Sequence, residues 1–308
     1  MIRNSRVLVT GASGFLGGYV VHELRRYAPD TIHTVPSDPY DLRDRHTVRR
    51  AFDVSQPDIV IHLAAIVGGI EANRRSPGSI FYDNATMGLN VIDQCCESRV
   101  KKVLTIGTIC SYPKFTPVPF RETDLWNGYP EETNAPYGLA KKMLLVQGQA
   151  YRQQYGLNAI HLLMVNLYGP GDNTNPVTSH VIPALIRKVL DAKRTNAPFV
   201  ECWGTGNASR EFLYVEDAAR AICLAADRYN GAEPVNVGSG VEVSIRKLAE
   251  IICNLIGYKG ELRWNSDRPD GQPRRCLSVS RAKDEFDFES KVGLGEGLVR
   301  TIEWMEKL

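Results

Sequence analysis

The chain has 308 residues, of which 43% are hydrophobic and 23% charged, as is ordinary for a globular protein of about two structural units. It carries 37 Lys and Arg against 35 Asp and Glu, a balance that predicts neither a nucleic-acid partner nor an anionic membrane partner. No run of about 18 apolar residues predicts a membrane span, and no signal peptide is predicted before the first strand.

Alternating strand and helix patterns run through the first half of the chain. Strands are predicted at 6–10, near 32–37, and at 58–64, 102–107 and 159–165, with helices at 18–27, 80–98 and 136–155. The strand at 58–64 is almost continuously apolar, which is typical of a parallel sheet covered by helices on both faces. The repeated βα units therefore predict an α/β fold with a doubly wound parallel sheet of the Rossmann type.

The pattern changes after Tyr168. Residues 169–176 have the composition of a loop, a helix is predicted at 182–193, and a hairpin is predicted around 203–206. No long linker separates two parts, so a smaller α/β domain is expected to interleave with the first. The predicted boundaries are 1–168 plus about 213–243 for a dinucleotide-binding domain, and about 169–212 plus 244–308 for the second domain.

A glycine-rich turn joins the first strand to the first helix. Glycines at this place let backbone N–H groups approach a pyrophosphate, and the helix N-terminus adds a favourable dipole. The spacing GxxGxxG resembles the extended form of the short-chain dehydrogenase/reductase superfamily. The residues predicted to bind the cofactor in this turn are Gly11, Ser13, Gly14, Phe15, Leu16 and Gly17.

The end of the second strand bears on the choice between NAD and NADP. An acidic residue there would hold a ribose 2′-OH, and an arginine would hold a 2′-phosphate. Neither residue type stands at the tip, and Asp38, which follows, is either a ribose ligand or a turn residue. Asp41 and Leu42 resemble the Asp-Leu pair that meets the adenine in this superfamily.

Tyr137 and Lys141 are the predicted acid–base pair. They are four residues apart in a predicted helix, so they share one face. A nearby ammonium is expected to pull the tyrosine pKa from about 10 toward neutrality. Thr108, at the end of the preceding strand, could donate to a substrate carbonyl or its developing oxyanion.

The seven cysteines do not suggest a disulfide framework. Their number is odd, and no CxxC pair or Cys/His cluster occurs, so neither disulfides nor a metal site is predicted. Reduced thiols in a cytoplasmic protein are expected. Six of them are expected to be buried packing residues, and Cys110 is the exception.

Several segments, in order along nearly the whole chain, resemble the GDP-L-fucose synthase family. They are Ala64–Ile70, Gly107–Pro113, Asn166–Pro170, Ser179–Ile186, Trp203–Gly206, Arg210–Leu213 and Pro269–Gly271. The resemblance implies a GDP-4-keto-6-deoxy-D-mannose 3,5-epimerase-4-reductase that uses NADPH. It also implies that Cys110 is the base at C3 and C5 and that His180 is the acid that returns a proton on the other face.

The resemblance also assigns binding residues. The cofactor would be contacted by Ala64, Ala65 and His180, besides Tyr137 and Lys141. The GDP-sugar would be contacted by Asn166, Arg187, Trp203, Arg210 and Asp270. A homodimer is implied, formed through the helices near 84–98 and 137–155, with Val91, Ile92, Met143 and Val146 as apolar candidates.

Three features depart from the family pattern. Thr108 replaces a serine but keeps the hydroxyl, and Ile109 replaces a small polar residue. The arginines that hold the 2′-phosphate are missing, with Ser13 in the glycine turn and Val35 and Ser37 at the second strand. NADP(H) is favoured by the resemblance, and NAD(H) stays open because of these losses.

Other functions stay open on the sequence alone. One is a C4-reductase that acts on a GDP-4-keto sugar or heptose without epimerisation. Another is a GDP-sugar 3,5-epimerase that retains NAD. A non-catalytic NAD(P)-sensing regulator on the same fold is the third. A 4,6-dehydratase is disfavoured, because Ile109 and Cys110 stand where that chemistry needs a carboxylate.

Overall fold

The computed structural model describes residues 1–176, 178–267 and 271–308. The strands are β1 Arg6–Thr10, β2 Thr31–Val35, β3 Ile59–His62, β4 Lys102–Thr108, β5 Ala159–Met164, β6 Asn166–Tyr168, β7 Phe199–Trp203, β8 Ser209–Tyr214, β9 Val235–Val237, β10 Glu242–Ser244 and β11 Glu261–Asn265. The helices are α1 Phe15–Leu24, α2 Arg45–Ser55, α3 Ile70–Arg75, α4 Pro77–Glu97, α5 Ala135–Tyr155, α6 Val181–Arg194, α7 Val215–Arg228, α8 Ile245–Ile256, α9 Ser280–Phe286 and α10 Leu294–Met305.

A six-stranded parallel sheet forms the larger part of the molecule, in the order β2-β1-β3-β4-β5-β9. Alternate strand residues face opposite sides of a sheet. Val7 and Val9 accordingly pack into one core and Leu8 into another. Helices α1 and α7 pack together, as do α4 and α5. The predicted α/β fold with a doubly wound parallel sheet is confirmed.

The helix boundaries differ from the predicted ones mainly at the glycine turn. Helix α1 begins at Phe15, directly after Gly14, whereas the sequence pattern placed its start at 18. The glycines hid the first turn, because glycine is a poor helix former and is associated with loops. Helix α5 ends at Tyr155, and Gly156 follows with φ 74° as a left-handed helix cap.

Two small sheets form the second part of the molecule. One has the order β10-β8-β6, and the other pairs β11 with β7 in parallel. The hairpin predicted around 203–206 is therefore wrong, since β7 and β8 belong to different sheets. Gly204 and Gly206 do turn the chain at φ 74° and 79°, but a local turn signal does not show which strands pair.

The chain passes from the large sheet into the small sheets and back. After β8, helix α7 packs on α1, and β9 extends the large sheet beside β5. A separate hydrophobic core joins α6, α8 and α10 to the small sheets. Within the described residues, no helix is both long and apolar enough to cross a membrane, and no group of His, Cys, Asp and Glu is arranged as metal ligands.

Candidate active site

One cavity of about 1310 Å³ extends from the glycine turn to the small sheets. Its walls come from the carboxyl ends of the large-sheet strands, from the loop after β6 and from α6. Ligands of doubly wound proteins bind at this edge of the sheet. Most of the site residues predicted from the sequence line this single cavity. Arg187 is described but does not line it, and Asp270 lies outside the described residues.

The glycine turn is too tight for side chains at two positions. Gly11 has φ +71°, and a Cβ there would lie 2.6 Å from the backbone nitrogen of Ala64. A Cβ on Gly17 would lie 2.1 Å from the carbonyl oxygen of Gly11. No side chain caps α1, so the free N–H groups of its first turn face the cavity. This cradle fits the pyrophosphate of a dinucleotide.

Other residues predicted near the cofactor also line this cavity. They are Ser13, Gly14, Phe15, Leu16, Val35, Ser37, Asp41, Leu42, Ala64 and Ala65. Arg43 also lines the cavity, and its guanidinium is bonded to Asp41 through Nε at 3.0 Å and Nη2 at 2.8 Å. These bonds hold the pKa of Asp41 below its usual range. Arg43 also pairs with Asp83 at 3.2 Å.

Close packing between α5 and the turn after β4 brings the acid–base residues together. A Cβ on Gly138 would lie 2.3 Å from the carbonyl oxygen of Cys110. Ser111 Oγ donates to the Gly138 carbonyl at 2.8 Å, and the Thr108 hydroxyl accepts from the Cys110 N–H at 3.2 Å. Tyr137, in the first turn of α5, thereby faces the same space as Thr108 and Cys110.

The electrostatics of the tyrosine–lysine pair differ from the prediction. Burial lowers the pKa of Lys141 to about 8. Burial raises the pKa of Tyr137, and the negative charge of Cys110 raises it further. The expectation that the pKa of the phenol is pulled toward neutrality is therefore wrong for this state, because burial and the charge of Cys110 both act to raise it. Tyr137 keeps its proton and is suited to donate it.

Two buried histidines surround Lys141 from the sheet. Burial lowers the pKa of His62 and of His161 to about 3, and the charge of Lys141 adds to both effects. Each imidazole is neutral and pairs through Nδ1 with a threonine, His62 with Thr10 at 2.8 Å and His161 with Thr105 at 2.7 Å. Neither histidine lines the cavity, and neither takes part in the predicted chemistry.

The cysteine of the site has a charged neighbour that sequence reasoning missed. Arg275 lies 165 residues away in the chain, and its Nη1 donates to Cys110 Sγ at 3.3 Å. Gln272 Oε1 accepts from Arg275 Nε at 2.7 Å, while Gln272 Nε2 donates to the Lys114 carbonyl at 2.7 Å. Both residues line the cavity. In the sequence, the only signal that could have pointed to them is their place just after the segment Pro269–Gly271.

His180 stands exposed at the N-cap of α6. The buried carboxylate of Asp172 lies near it, with Oδ1 accepting from the Asn173 N–H at 2.7 Å. The other oxygen, Oδ2, has no hydrogen-bond partner among the described residues. Burial raises the pKa of Asp172, and the charge of His180 opposes that rise. The sequence analysis placed Asp172 in a loop by composition and gave it no functional role.

Three of the predicted substrate residues, Asn166, Trp203 and Arg210, line the cavity. Asn166 Nδ2 donates to the Glu211 carbonyl at 2.9 Å, and Arg210 Nη1 donates to the Gln272 carbonyl at 2.6 Å. Trp203 is 51% exposed, and the Lys188 ammonium lies 5.5 Å from the centre of its ring. Asp270 lies outside the described residues.

Arg187 is a predicted substrate residue that the structure does not bring to the cavity. Among the cationic residues of α6, it is Lys188 that lines the cavity, one turn after Ala184. Neighbouring helical residues point about 100° apart, so a shift of one position changes the face. The correction moves the expected cation from Arg187 to Lys188.

Comparisons with known proteins place this geometry in a known family. The sequence profile of the NAD dependent epimerase/dehydratase family matches residues 7–238. A rice protein (Oryza sativa subsp. japonica) named probable GDP-L-fucose synthase 1 is 41% identical over 303 residues, which are 98% of this chain and 92% of the rice protein.

Two solved structures are similar over almost their whole length. A GDP-6-OMe-4-keto-L-xylo-heptose reductase from C. jejuni gives a TM-score of 0.90 at 26% identity, covering 100% of this chain and 99% of that one. A GDP-L-fucose synthetase from Naegleria fowleri bound to NADP gives 0.88 at 27% identity, covering 100% and 95%.

Proposed function

This chain belongs to the NAD-dependent epimerase/dehydratase family and is related to its GDP-L-fucose synthases, and from this premise we propose that it is an epimerase-reductase of a GDP-4-keto-6-deoxy-hexose. It inverts C3 and C5 of the sugar and then reduces C4. One observation carries the proposal: the glycine cradle, the pair Tyr137–Lys141 and the two proton-transfer groups Cys110 and His180 line one cavity.

Epimerisation uses the acidity of the protons next to the keto group. The sulfur of Cys110, as a thiolate, takes the proton from C3 or C5, and the electrons of the broken C–H bond move onto the C4 oxygen. Hydroxyl donors from Thr108 and Tyr137 stabilise that oxygen. His180, as an imidazolium, returns a proton to the opposite face. Exchange with water then restores both groups.

Reduction completes the sequence at C4. A bound nicotinamide cofactor supplies the hydride. Tyr137 gives its proton to the C4 oxygen, which is the role that its raised pKa supports. Lys141 lies one helical turn away in the same cavity, where its ammonium favours the phenolate that remains after the transfer.

The nucleotide end of the substrate is held by stacking and by cations. We assign Trp203 as the stacking surface, and Arg210 and Lys188 as the cations of the diphosphate. Arginine and lysine both bind phosphate oxygens, arginine in a forked geometry and lysine as a point charge. Asn166 also lines the cavity, and we assign it to the sugar.

The preference between the two nicotinamide cofactors is proposed to be weak. Ser13 and Ser37 line the adenosine end of the cavity, and the nearby Arg43 is bonded to both Asp41 and Asp83. An arginine that two carboxylates neutralise attracts a 2′-phosphate weakly. NADPH and NADH are therefore both expected to serve, with NADP-bound relatives supporting the former.

Three further assignments follow the same proposal. The dinucleotide domain is taken as 1–168 plus about 213–243, and the nucleotide-sugar domain as about 169–212 plus 244–308. A homodimer through α4 and α5 is proposed, with Val146, 48% exposed, as a contact, whereas Val91 and Ile92 are buried within the chain. Seven free thiols support a cytoplasmic location.

The direct test is consumption of NADPH or NADH on addition of GDP-4-keto-6-deoxy-D-mannose. Oxidation of the cofactor is expected with wild-type protein, and about a 1000-fold slower reaction with Tyr137→Phe, because the proton donor is lost. Absence of any absorbance change with both cofactors would overturn the reductase. The sensor, the retained-NAD epimerase and the reductase without epimerisation are not favoured by the relatives.

A further inference from the structure

A buried guanidinium lies directly against the sulfur of Cys110. Arg275 is 6% exposed, and its Nη1 donates to Cys110 Sγ at 3.3 Å. The ion pairs formed by the described residues include Arg274 with Glu242 and Arg281 with Glu122, but none with Arg275. Its charge is thus left without a carboxylate in direct contact.

A buried positive charge is costly unless it is paired or fully hydrogen bonded. Gln272 offers Arg275 only a neutral acceptor. Glu131 is the carboxylate that interacts with Arg275 from a greater distance. Burial raises the pKa of Glu131, but hydrogen bonds from Thr133 and Asn134 lower it, and the charge of Arg275 lowers it further. The pKa of Glu131 is therefore below its usual range. The sulfur of Cys110 is the contacting group that gains negative charge in the proposed reaction.

The contact between the guanidinium and the sulfur changes strength during proton transfer. Hydrogen bonds to an ionised acceptor are about twice as strong as those to a neutral one. The bond to Sγ is therefore strongest while the sulfur is a thiolate, which is the form that takes a proton. Because Arg275 is itself held by Gln272, the bond also fixes the position of the sulfur.

We propose that Arg275 is a positioning residue for proton abstraction, which holds Cys110 Sγ toward the sugar and stabilises negative charge on it. The proposal rests on the proposed role of Cys110 as the base. It assigns a function to a segment, 272–275, that neither the sequence pattern nor the family resemblance had assigned.

The segment also joins the chemistry to the nucleotide end. The Gln272 carbonyl accepts from Arg210, and the Gln272 side chain accepts from Arg275. Two arginines, one assigned to the diphosphate and one to the sulfur, are therefore fixed by the same residue. A shift of Gln272 would move both.

The test is the alkylation rate of Cys110 by iodoacetamide, a neutral reagent, in the full-length protein without substrate at pH 7. Peptide mass spectrometry follows the modification of Cys110 and, as an internal reference, of Cys96 on α4. With Arg275→Gln we expect Cys110 to react about tenfold more slowly, with Cys96 unchanged. Arg275→Lys should recover most of the rate.

A matched control lies next to the target. Arg274 is exposed and bonded to Glu242, so Arg274→Gln should leave the alkylation of Cys110 within about twofold, since this arginine does not contact the sulfur. Unchanged alkylation of Cys110 in Arg275→Gln would overturn the proposal. A higher KM with unchanged alkylation would assign Arg275 to the phosphates instead.

A second measurement guards against loss of folding. Arg275→Gln should still reduce a substrate already inverted at C3 and C5 at a rate within about threefold of wild type, because reduction does not use the sulfur as a base. If Arg275→Gln lost this reduction and its Cys110 were alkylated as fast as Cys96, the site would be disrupted. That result would contradict a role of Arg275 in positioning. The alkylation assay needs no turnover, so its result stands even if the proposed function fails.

Discussion

The glycine cradle and the proton-transfer pocket around Cys110 are built in opposite ways. The cradle comes from seven consecutive residues, 11–17, and offers backbone N–H groups from the start of α1. The pocket gathers side chains from the turn after β4, from the start of α6 and from residues 272–275. The cradle is thus fixed by local backbone shape, whereas the pocket exists only when the two parts of the molecule pack together.

The difference predicts which changes separate the two activities. A change in the cradle should weaken cofactor binding and leave the proton-transfer groups in place. A change in the pocket should stop epimerisation and leave cofactor binding intact. Lys141 lies where the two regions meet, so its titration should affect the reduction step that needs both.

The largest effect is expected in the pocket. Cys110→Ser should reduce the epimerisation rate about 1000-fold, because a hydroxyl is a far weaker base than a thiolate. Binding of NADPH, measured by fluorescence, should change less than about twofold. Cys96→Ser is the control on α4. Equal losses of epimerisation and NADPH binding in Cys110→Ser would contradict the expectation that the pocket can be changed without affecting cofactor binding.

A smaller but still large effect is expected in the cradle. Gly17→Ala should raise the Kd of NADPH and of NADH about 100-fold, because the new Cβ would lie 2.1 Å from the Gly11 carbonyl oxygen. Gly18→Ala is the matched control, since a Cβ there meets no atom within 4 Å. To test the proton-transfer groups of these variants apart from cofactor binding, exchange of solvent deuterium into the sugar should be assayed with saturating cofactor. Tight binding in Gly17→Ala would show that the cradle tolerates a side chain.

The pH dependence of reduction tests the role of Lys141, which lies where the cradle and the pocket meet. The ammonium of Lys141 is lost as pH rises through its pKa of about 8. With an inverted substrate, the reduction rate should therefore fall about tenfold per pH unit above that value, and Tyr137 should remain protonated. A constant rate from pH 7 to 10 would contradict the assignment of Lys141.

Cofactor choice should be adjustable at the adenosine end without affecting the pocket. Ser37→Arg should raise the kcat/KM ratio of NADPH over NADH about tenfold, because a new guanidinium can pair with the 2′-phosphate. Arg43→Ser should change that ratio little, as Arg43 is already engaged by Asp41 and Asp83. A collapse of NADPH use in Arg43→Ser would identify Arg43 as the 2′-phosphate ligand.

The smallest effect concerns the corrected position on α6. Lys188→Ala should raise the KM for the GDP-sugar about fivefold with little change in kcat, because one cation of the diphosphate is lost. Arg187→Ala should leave both constants near wild type, since its side chain does not line the cavity. The reverse pattern would restore Arg187 as the substrate residue.

The same contrast explains what the sequence could predict. The glycine turn and the pair Tyr137–Lys141 follow from local spacing, and the large parallel sheet follows from repeated βα units. Arg275 and Asp172 were missed, because their partners are brought to them by long-range packing. Arg187 was assigned from the family resemblance, and Lys188 was missed because spacing alone does not give the rotation of α6. The false hairpin at 203–206 came from turn glycines whose strands pair elsewhere.

The most direct measurement is the position of deuterium in the product made in D₂O. Wild-type protein is given GDP-4-keto-6-deoxy-D-mannose and unlabelled NADPH, and the product is examined by NMR. Deuterium is expected at C3 and C5 and protium at C4, since the proton-transfer groups exchange with solvent and the hydride does not. A reduced product without deuterium at C3 and C5 would contradict the epimerase and leave only a reductase.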